Sequence, residues 1–500
     1  MKLLKLKNFK WLILISFLFH LITSIYSVGF HHLDEHYQIL EFANYKSGNN
    51  LPSDLPWEFE AKLRPAIQPA IAFLIIKSSQ TIGITDPFTQ AMIMRILSSL
   101  ISMLCVILLI YVFKDEIKSE QYLKWFLFLS FFLWFSVYAQ VRFSSEGWSG
   151  SIFFIGFALL YYFKTKEKII FIPFLIGLIF GFAFIFRYQV GFLILGLLLW
   201  LLIIDKYNFK KIFLIVFGII AAILIGVLID KWFYGEWTFS AWNYFQFNIV
   251  KGKVSSFGVH PWHFYLTEIF WKAVPPYSLF LIFMPIFWFI FKPKNIFTWM
   301  FIPFLLVHFL IGHKEFRFLF PLINIIPLLV VLGFHELGKD KFKNFGLFFQ
   351  RKIFRWFIYL FVVVNTIYLI NICFRPADYY VSLYKFIYKD YKDIKTELIF
   401  FNEDPYLRAP EPANFYKSKN LTTKSVLDPD SLQFVVNENK YDKILFMTDT
   451  FLLNEKYRSQ NVEFKKIYSN LPKWVENLNY NNWLERTRIF TLYEISKIKN

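Results

Sequence analysis

Four ionisable side chains crowd the stretch His313-Lys314-Glu315-Phe316-Arg317-Phe318, set between two apolar blocks. Lys314 would meet a phosphate as a point charge and Arg317 as a planar fork. The same residues also suit a plain interfacial turn whose cations reach past apolar neighbours for water. A second stretch, His32-Leu33-Asp34-Glu35-His36-Tyr37-Gln38, sets two adjacent carboxylates just beyond the first apolar block. A positioned carboxylate that takes a proton from a hydroxyl contributes typically about 10²–10⁴-fold to rate. The structural alternative makes Asp34 a helix N-cap and Glu35 a favourable first-turn charge. Tyr37, Leu40 and Asn44 then follow at helical spacing and Gly48 closes the segment. The two readings are compatible, because a capped helix holds its carboxylate rigidly.

Arg142 and Glu146 follow one apolar block, and Arg187 interrupts a long apolar stretch. An arginine at a helix end is commonly snorkelling or paired, so each carries weight only in company. The segment DKWFYGEWTFSAWNYFQFNIVKGKVSSFGVHPWHFY, beginning at Asp230, is dense in Trp, Tyr, Asn and His. An aromatic belt at a membrane interface explains its Trp and Tyr; stacking on a sugar and recognition of its hydroxyls is the functional alternative. His260 and His263 lack an accompanying carboxylate cluster, so a structural or substrate-contact role is expected and no metal or other cofactor.

These residues are set out by the apolar blocks around them. Hydrophobic residues make up 56% of the 500 and aromatic ones 22%, against roughly 45–50% apolar in soluble domains. The formal charge of +18 is spread in short runs between blocks, which is a membrane-topology pattern rather than the clustered basic face of a nucleic-acid binder. A spanning helix needs about 20 mostly apolar residues. Candidate spans are 11–28, 88–113, 122–139, 148–163, 169–186, 189–204, 211–229, 265–291, 297–311, 316–337 and 353–373. The first is longer than a signal-peptide core and lacks an A-x-A-like cleavage site, so it reads as a retained transmembrane helix. Lys2, Lys5, Lys7 and Lys10 put the N-terminus in the cytoplasm. Every second loop is then cytoplasmic, and those loops (KDEIKSEQYLK, KTKEK, DKYNFKK, KPK and GKDKFKNFGLFFQRK) are all rich in Lys. Residues 66–76, with Pro65, Pro69 and Lys77 in or beside them, read as an interfacial helix.

The expected organisation is an α-helical polytopic membrane protein of about eleven spans over residues 1–373. It has a large first extracytoplasmic loop at 29–87 and a second at 230–264. A small soluble α/β domain at 374–500 follows, with strand-like runs ELIFF, SLQFVV, KILFMTD and RIFTLYEI. Cys105 and Cys373 offer neither a disulfide framework nor a zinc spacing. In this topology the two stretches with which we began, Arg142, Glu146, Arg187 and the Asp230 segment all face away from the cytoplasm. Cations are scarce on that side by the same rule, and ionisable residues at the membrane edge are functional candidates. There is no G-x-G-x-x-G turn, Walker A loop or H-E-x-x-H helix. Activated nucleotides belong to the cytoplasm, so a sugar on a membrane lipid phosphate is the donor that fits.

The residues also resemble a family. HKEFRF is similar to the H-K-E-x-R-F signature of glycosyltransferase family 22, the lipid-phosphate-mannose-dependent mannosyltransferases of GPI-anchor and N-glycan assembly, with the GT-C architecture. HLDEHYQ resembles that family's H-P-D-E motif with Leu33 in place of Pro, and LPWEFEAKLRP its T-W-E-W segment and following Arg. The Asp230 segment is similar to the D-x-x-F-Y-G…G-x-H-P-W-x-W-Y block of the GPI mannosyltransferase branch. Two departures, Ser144-Ser145 for S-N and Arg187-Tyr188-Gln189 for R-P-T, bear on acceptor identity rather than reaction type. The resemblance implies inverting transfer of a sugar, mannose first, from a polyprenyl- or dolichyl-phosphate donor to a glycan or glycolipid acceptor, on the non-cytoplasmic face. It implies Asp34 as general base, with Glu35 supporting it or binding the acceptor. His313, Lys314, Arg317, Arg187 and Arg142 would hold the donor phosphate. Trp57, Glu58, Arg64, Glu146, Asn243, Asn248, His260, Trp262 and His263 would contact substrate. The setting would be the plasma or inner membrane of a bacterium or the ER of a eukaryote, with membrane lipid and no nucleic acid as partner. The alternatives are a GT-C enzyme using another lipid-phosphate sugar, or a non-enzymatic flippase of lipid-linked sugars. A flippase would place its ionisable residues at the midplane within repeats, and no repeat is visible.

Overall fold

The computed structural model describes residues 6–117, 119–164, 171–338, 352–401, 403–426, 430–438, 440–453 and 462–498. The chain divides into two compact units. One comprises Met1–Ser27, Glu58–Ile76 and Ala91–Arg375, the other Val28–Trp57, Lys77–Gln90 and Pro376–Asn500. The first long loop, expected with the helices, thus groups largely with the C-terminal part of the chain.

The first unit is helical. Its core is built mainly of leucine, isoleucine and phenylalanine, with Phe113, Phe126, Phe153, Phe157, Phe180, Phe297 and Phe304 all buried. Where helices cross closely, small residues let the backbones meet. A Cβ on Gly177 would stand 2.1 Å from the Ile215 carbonyl oxygen, and one on Gly181 would stand 2.5 Å from the Ala222 methyl. Glycine at these two sites presses Ile172–Phe186 against Phe209–Tyr234.

Among the described residues four helices are long and apolar enough to cross a membrane, or six if each of two bent pairs counts as one span. Several expected spans therefore differ from a single straight helix. Residues 122–139 form Glu120–Phe132 and Trp134–Gln140, bent by 47°. Residues 316–337 form a 3₁₀ segment, Phe316–Leu322 with Pro321 inside it, and the helix Ile326–Leu337, bent by 73°. Residues 265–291 break into Phe264–Lys272 and Ser278–Phe291. Pro275 and Pro276 in that gap have no amide hydrogen to continue a helix. The helix Ile67–Thr81 is 15 residues long, short of the length that crosses a bilayer.

Buried polar groups inside this bundle form one chain. His20 Nε2 lies 2.8 Å from Gln140 Oε1, and Gln140 Nε2 donates to Asn324 Oδ1 at 2.8 Å. Asn324 Nδ2 donates to Ser151 Oγ at 2.9 Å, which lies 3.1 Å from Ser102 Oγ. The chain joins segments far apart in sequence, and each partner offsets the cost of burying the next.

The second unit contains a five-stranded mixed sheet in the order β2-β1-β3-β5-β4. Its strands are β1 Thr396–Phe401, β2 Leu421–Val426, β3 Lys443–Thr448, β4 Val462–Ser469 and β5 Thr491–Lys497. β1 is parallel to β2 and β3, while β5 is antiparallel to β3 and β4. ELIFF, KILFMTD and RIFTLYEI supply β1, β3 and β5, but SLQFVV lies in a helix, Asp430–Glu438. Leu432, Val435 and Val436 are buried while Phe434 is exposed, and that three- and four-residue spacing is helical.

Candidate functional site

The HKEFRF turn lies in the helical unit, where its side chains join Glu146 and Arg187 in one ion network. Glu315 has an extended backbone, and both His313 and Arg317 reach its carboxylate. His313 Nε2 lies 3.0 Å from Glu315 Oε1, and Arg317 Nε donates to Glu315 Oε2 at 2.6 Å. Arg317 Nη1 continues to Glu146 Oε1 at 3.1 Å, where Arg187 Nη2 also arrives at 3.3 Å. Glu146, in the first turn of Ser145–Phe163, therefore sits between two guanidinium groups with only 2% of its side chain exposed. The Phe318 ring lies beneath both, 5.2 Å from Arg187 and 5.5 Å from Arg317.

Close packing makes this convergence possible. A Cβ on Gly150 would lie 2.2 Å from the Pro321 carbonyl oxygen, so only glycine lets Ser145–Phe163 approach the 3₁₀ segment bearing Arg317. Ser144 caps that helix, accepting from the Gly147 amide at 3.2 Å, and so fixes where Glu146 points.

The H-P-W stretch is laced to the same turn. The His260 amide donates to the Gly312 carbonyl at 2.9 Å, and Lys314 Nζ donates to the His260 carbonyl at 3.2 Å. His313 Nδ1 lies 3.2 Å from the Gly258 carbonyl. Lys314 is buried and also donates to the Ile311 carbonyl, so its ammonium holds backbone, and burial lowers its pKa. The hydrogen bond to Glu315 raises the His313 pKa above the usual imidazole value. The exposed His260 ring lies tilted against Phe264 with centroids 4.4 Å apart, while Trp262 and His263 stand exposed.

Arg142 is only 1% exposed, and its guanidinium donates to both the carbonyl and hydroxyl of Ser27 at 2.8 Å. It anchors the end of the first helix.

A second network surrounds Asp230, near the end of Phe209–Tyr234. Asp230 accepts from the Ala66 amide at 2.8 Å and from the Ser240 hydroxyl. The Tyr188 hydroxyl donates to Ser240 Oγ at 2.8 Å, and Gln189 donates to the Tyr244 hydroxyl at 3.2 Å. Arg64 pairs with Glu58 at 3.3 Å, while its carbonyl accepts from the Tyr234 hydroxyl at 2.7 Å. Asn243 donates to the Lys62 carbonyl at 3.2 Å and Asn248 to the Tyr244 carbonyl at 3.1 Å. Tyr188 and Gln189, which stand where the family pattern has Pro and Thr, thus sit in this network directly after Arg187.

Asp34, Glu35 and the exposed Trp57 belong to the second unit. The helix cap is His32, not Asp34: its side chain accepts from the Asp34 amide at 3.2 Å. His32 Nδ1 also lies 3.5 Å from Asp34 Oδ1, and Glu35 accepts from the His31 amide at 3.1 Å. Tyr37, Leu40 and Asn44 are buried, and Gly48 takes a φ of +86° after the helix. His36–Glu41 form a short stretch of π-helix, which brings residues five apart onto one face. His36 Nε2 accordingly meets Glu41 Oε1 at 2.7 Å, with both side chains fully buried. Glu41 also accepts from the Phe415 amide at 2.9 Å and from Asn50 Nδ2 at 2.6 Å, and Tyr416 stacks on His36.

Sequence reasoning singled out neither Glu41 nor His36, nor the roles of Tyr188 and Ser240. An i,i+5 acid–imidazole pair is invisible to a 3.6-residue period. The signal for Asp230 was present: a lone carboxylate at the end of an apolar span.

A sequence profile of the Alg9-like mannosyltransferase family matches residues 11–396. GPI mannosyltransferase 3 of Candida albicans is 29% identical over 339 residues, covering 66% of this chain and 65% of that protein. The chain spans 55–65% of the length of the yeast and bovine GPI mannosyltransferases it matches. A fission-yeast protein described as a probable Dol-P-Man:Man(7)GlcNAc(2)-PP-Dol alpha-1,6-mannosyltransferase is 31% identical over 138 residues, 27% of this chain and 25% of that one. The fold is similar to that of ArnT from Cupriavidus metallidurans bound to undecaprenyl phosphate. The TM-score is 0.51 and the identity 10%, over 97% of this chain and 98% of that one. With the family match covering most of its length and the GT-C-type fold beneath it, the chain belongs to the Alg9-like mannosyltransferase family.

Proposed function

We propose that this protein is an inverting mannosyltransferase that takes mannose from a polyprenyl-phosphate donor and passes it to a glycan or lipid-linked acceptor on the non-cytoplasmic face of its membrane. The observation that carries the proposal is the buried arrangement of Arg187 and Arg317 around Glu146, continued through Glu315 to His313. Preorganised cations of this kind act where charge develops, and electrostatic stabilisation is commonly the largest catalytic contribution. The donor phosphate gains a negative charge as the bond from the sugar C1 to its oxygen breaks. Arg187 and Arg317 are balanced by Glu146 and Glu315 at rest, so protonated His313 and Lys314 supply the net positive charge. The acceptor hydroxyl oxygen forms the new bond to C1, with inversion, and its proton passes to Asp34, with Glu35 in support. Fixed cations neutralise the leaving phosphate, so the scheme calls for no metal or other cofactor. Arg142 and Lys314 are assigned to hold backbone around the site rather than to grip the phosphate. Glu58, Arg64, Asn243, Asn248, His260, Trp262, His263 and Trp57 are assigned to the substrate side.

The decisive experiment measures transfer from lipid-phosphate mannose by Asp34→Asn and Arg317→Ala proteins. The first is expected to lose turnover while keeping donor binding, and the second to lose use of the donor. Full turnover in Asp34→Asn removes that residue from the mechanism, and a panel of other lipid-phosphate sugars tests the choice of mannose. For the orientation, cysteines introduced at Ser53 and Ser119 are expected to label from outside and from the cytoplasm, respectively.

A further inference from the structure

An apolar cavity of about 660 Å³ opens in the helical unit away from the ion network, well within the size range of ligand pockets. Its walls come from Trp125 and Leu129 on one helix, Phe280 on the next, Val330 on a third and Phe361 on a fourth. The floor is closed at Trp134, whose amide donates to Asn365 Oδ1 at 3.1 Å, while Asn365 Nδ2 donates to the Phe132 carbonyl at 2.8 Å.

The mouth is polar. Ser119, Gln121, Gly338 and Arg355 line it. Ser119 caps Glu120–Phe132, Gly338 ends Ile326–Leu337, and Arg355 lies in the first turn of Lys352–Phe374. Two of these helices also fix which end of the bundle this is. Glu120–Phe132 and Trp134–Gln140 run from Ser119 toward Arg142, and Ile326–Leu337 runs from the Arg317 segment toward Gly338. The mouth therefore lies at the opposite end of the bundle from the ion network. From Arg355 to the floor at Asn365 is ten residues of helix, about 15 Å at 1.5 Å per residue, or half of a hydrocarbon core roughly 30 Å thick.

We propose that this cavity binds an anionic glycerophospholipid drawn from the leaflet opposite the ion network. One acyl chain fills the apolar shaft and the phosphate meets Arg355. The depth is that of one leaflet. Among the described residues the lining offers a guanidinium and no carboxylate, so it suits a phosphate without an ammonium partner. A donor lipid would have to bring its phosphate to Arg187 and Arg317, at the other end of the helices, so it is a poor fit for this mouth.

The test reconstitutes the full chain in nanodiscs of phosphatidylcholine with or without phosphatidylglycerol. Melting temperature is measured, and bound lipid is counted by native mass spectrometry. Phosphatidylglycerol is expected to bind in saturable fashion and raise the melting temperature. Arg355→Ala, at an exposed site, is expected to weaken that binding about tenfold, in line with loss of a charge-assisted hydrogen bond, with transfer activity in phosphatidylcholine unchanged. Val364→Trp, at a position that also lines the shaft, fills it and is expected to abolish the bound lipid. Equal stabilisation by phosphatidylcholine, unchanged phosphatidylglycerol binding in both variants, or displacement of phosphatidylglycerol by added undecaprenyl phosphate would each overturn the proposal.

Discussion

Replacing Glu146 by Gln removes one negative charge from between two buried guanidinium groups and changes little else in shape. Its carboxylate lies 3.1 Å from Arg317 and 3.3 Å from Arg187. At an effective dielectric of about 20, each contact carries roughly 5 kcal/mol of gross attraction, most of it offset by the desolvation of both partners. Removing one member of a buried pair costs about 3–5 kcal/mol, because the other is left uncompensated. The glutamine oxygen still accepts one hydrogen bond, which places the expected loss near the lower end. If Arg317 and Arg187 act on the leaving phosphate, about 3 kcal/mol misplaced from them lowers kcat/KM roughly 100-fold. Glu146→Asp keeps the charge and is expected to recover part of that loss. Transfer from radiolabelled lipid-phosphate mannose in nanodiscs gives the rates, and a melting curve reports whether the variant is folded. A folded Glu146→Gln protein within about twofold of the parent in kcat/KM would refute the idea that this carboxylate sets the geometry of the two arginines.

Further outcomes follow from other contacts. Because the bond to Glu315 raises the His313 pKa above 6.5, that pair stabilises the turn fully below 6.5 and loses its contribution as pH rises through the folded-state value. Transfer is expected to show an alkaline decline that Glu315→Gln moves to lower pH; an unmoved profile rejects His313 as the titrating group. Gly150→Ala drives a methyl into the Pro321 backbone and is expected to cost about 1–3 kcal/mol, as overpacking does, read as a lower melting temperature together with lost activity. Glu41→Ala strips a buried carboxylate from His36, Phe415 and Asn50. A loss of about 3–5 kcal/mol is expected, visible as early proteolysis of the C-terminal part; unchanged protection would show that Phe415 and Asn50 find other partners.

Apolar blocks and Lys-rich connections make the helical class legible in sequence, because burial of backbone in lipid leaves few other solutions. The convergence of Arg187, Glu146 and the HKEFRF turn was legible only as a shared side of the membrane. Nothing in one sequence says that Gly150 lets two backbones touch and so brings Arg317 to Glu146. The breaks at Leu133 and at Pro275-Pro276 were missed because hydropathy averages across a kink. SLQFVV reads as a strand by composition, yet its buried residues follow the helical period. β2 and β4, LTTKSV and VEFKKIYS, are edge strands whose polar faces hide the alternation that marks an interior strand. Arg142 and Lys314 drew attention by their charge, and each proves to hold main-chain oxygens.

Leucine, isoleucine and phenylalanine make up most of the interior of the helical unit, and such an apolar lining tolerates sliding and rotation of its helices. The file of His20, Gln140, Asn324, Ser151 and Ser102 does not. A shift of one turn would leave several amides in oil without a mate, so the file works as a registration key for helices that grease alone would leave free to choose. A variant with Gln140 and Asn324 both exchanged for leucine should therefore still insert and still be helical. It should lose the single arrangement that brings Glu146 and Arg317 face to face.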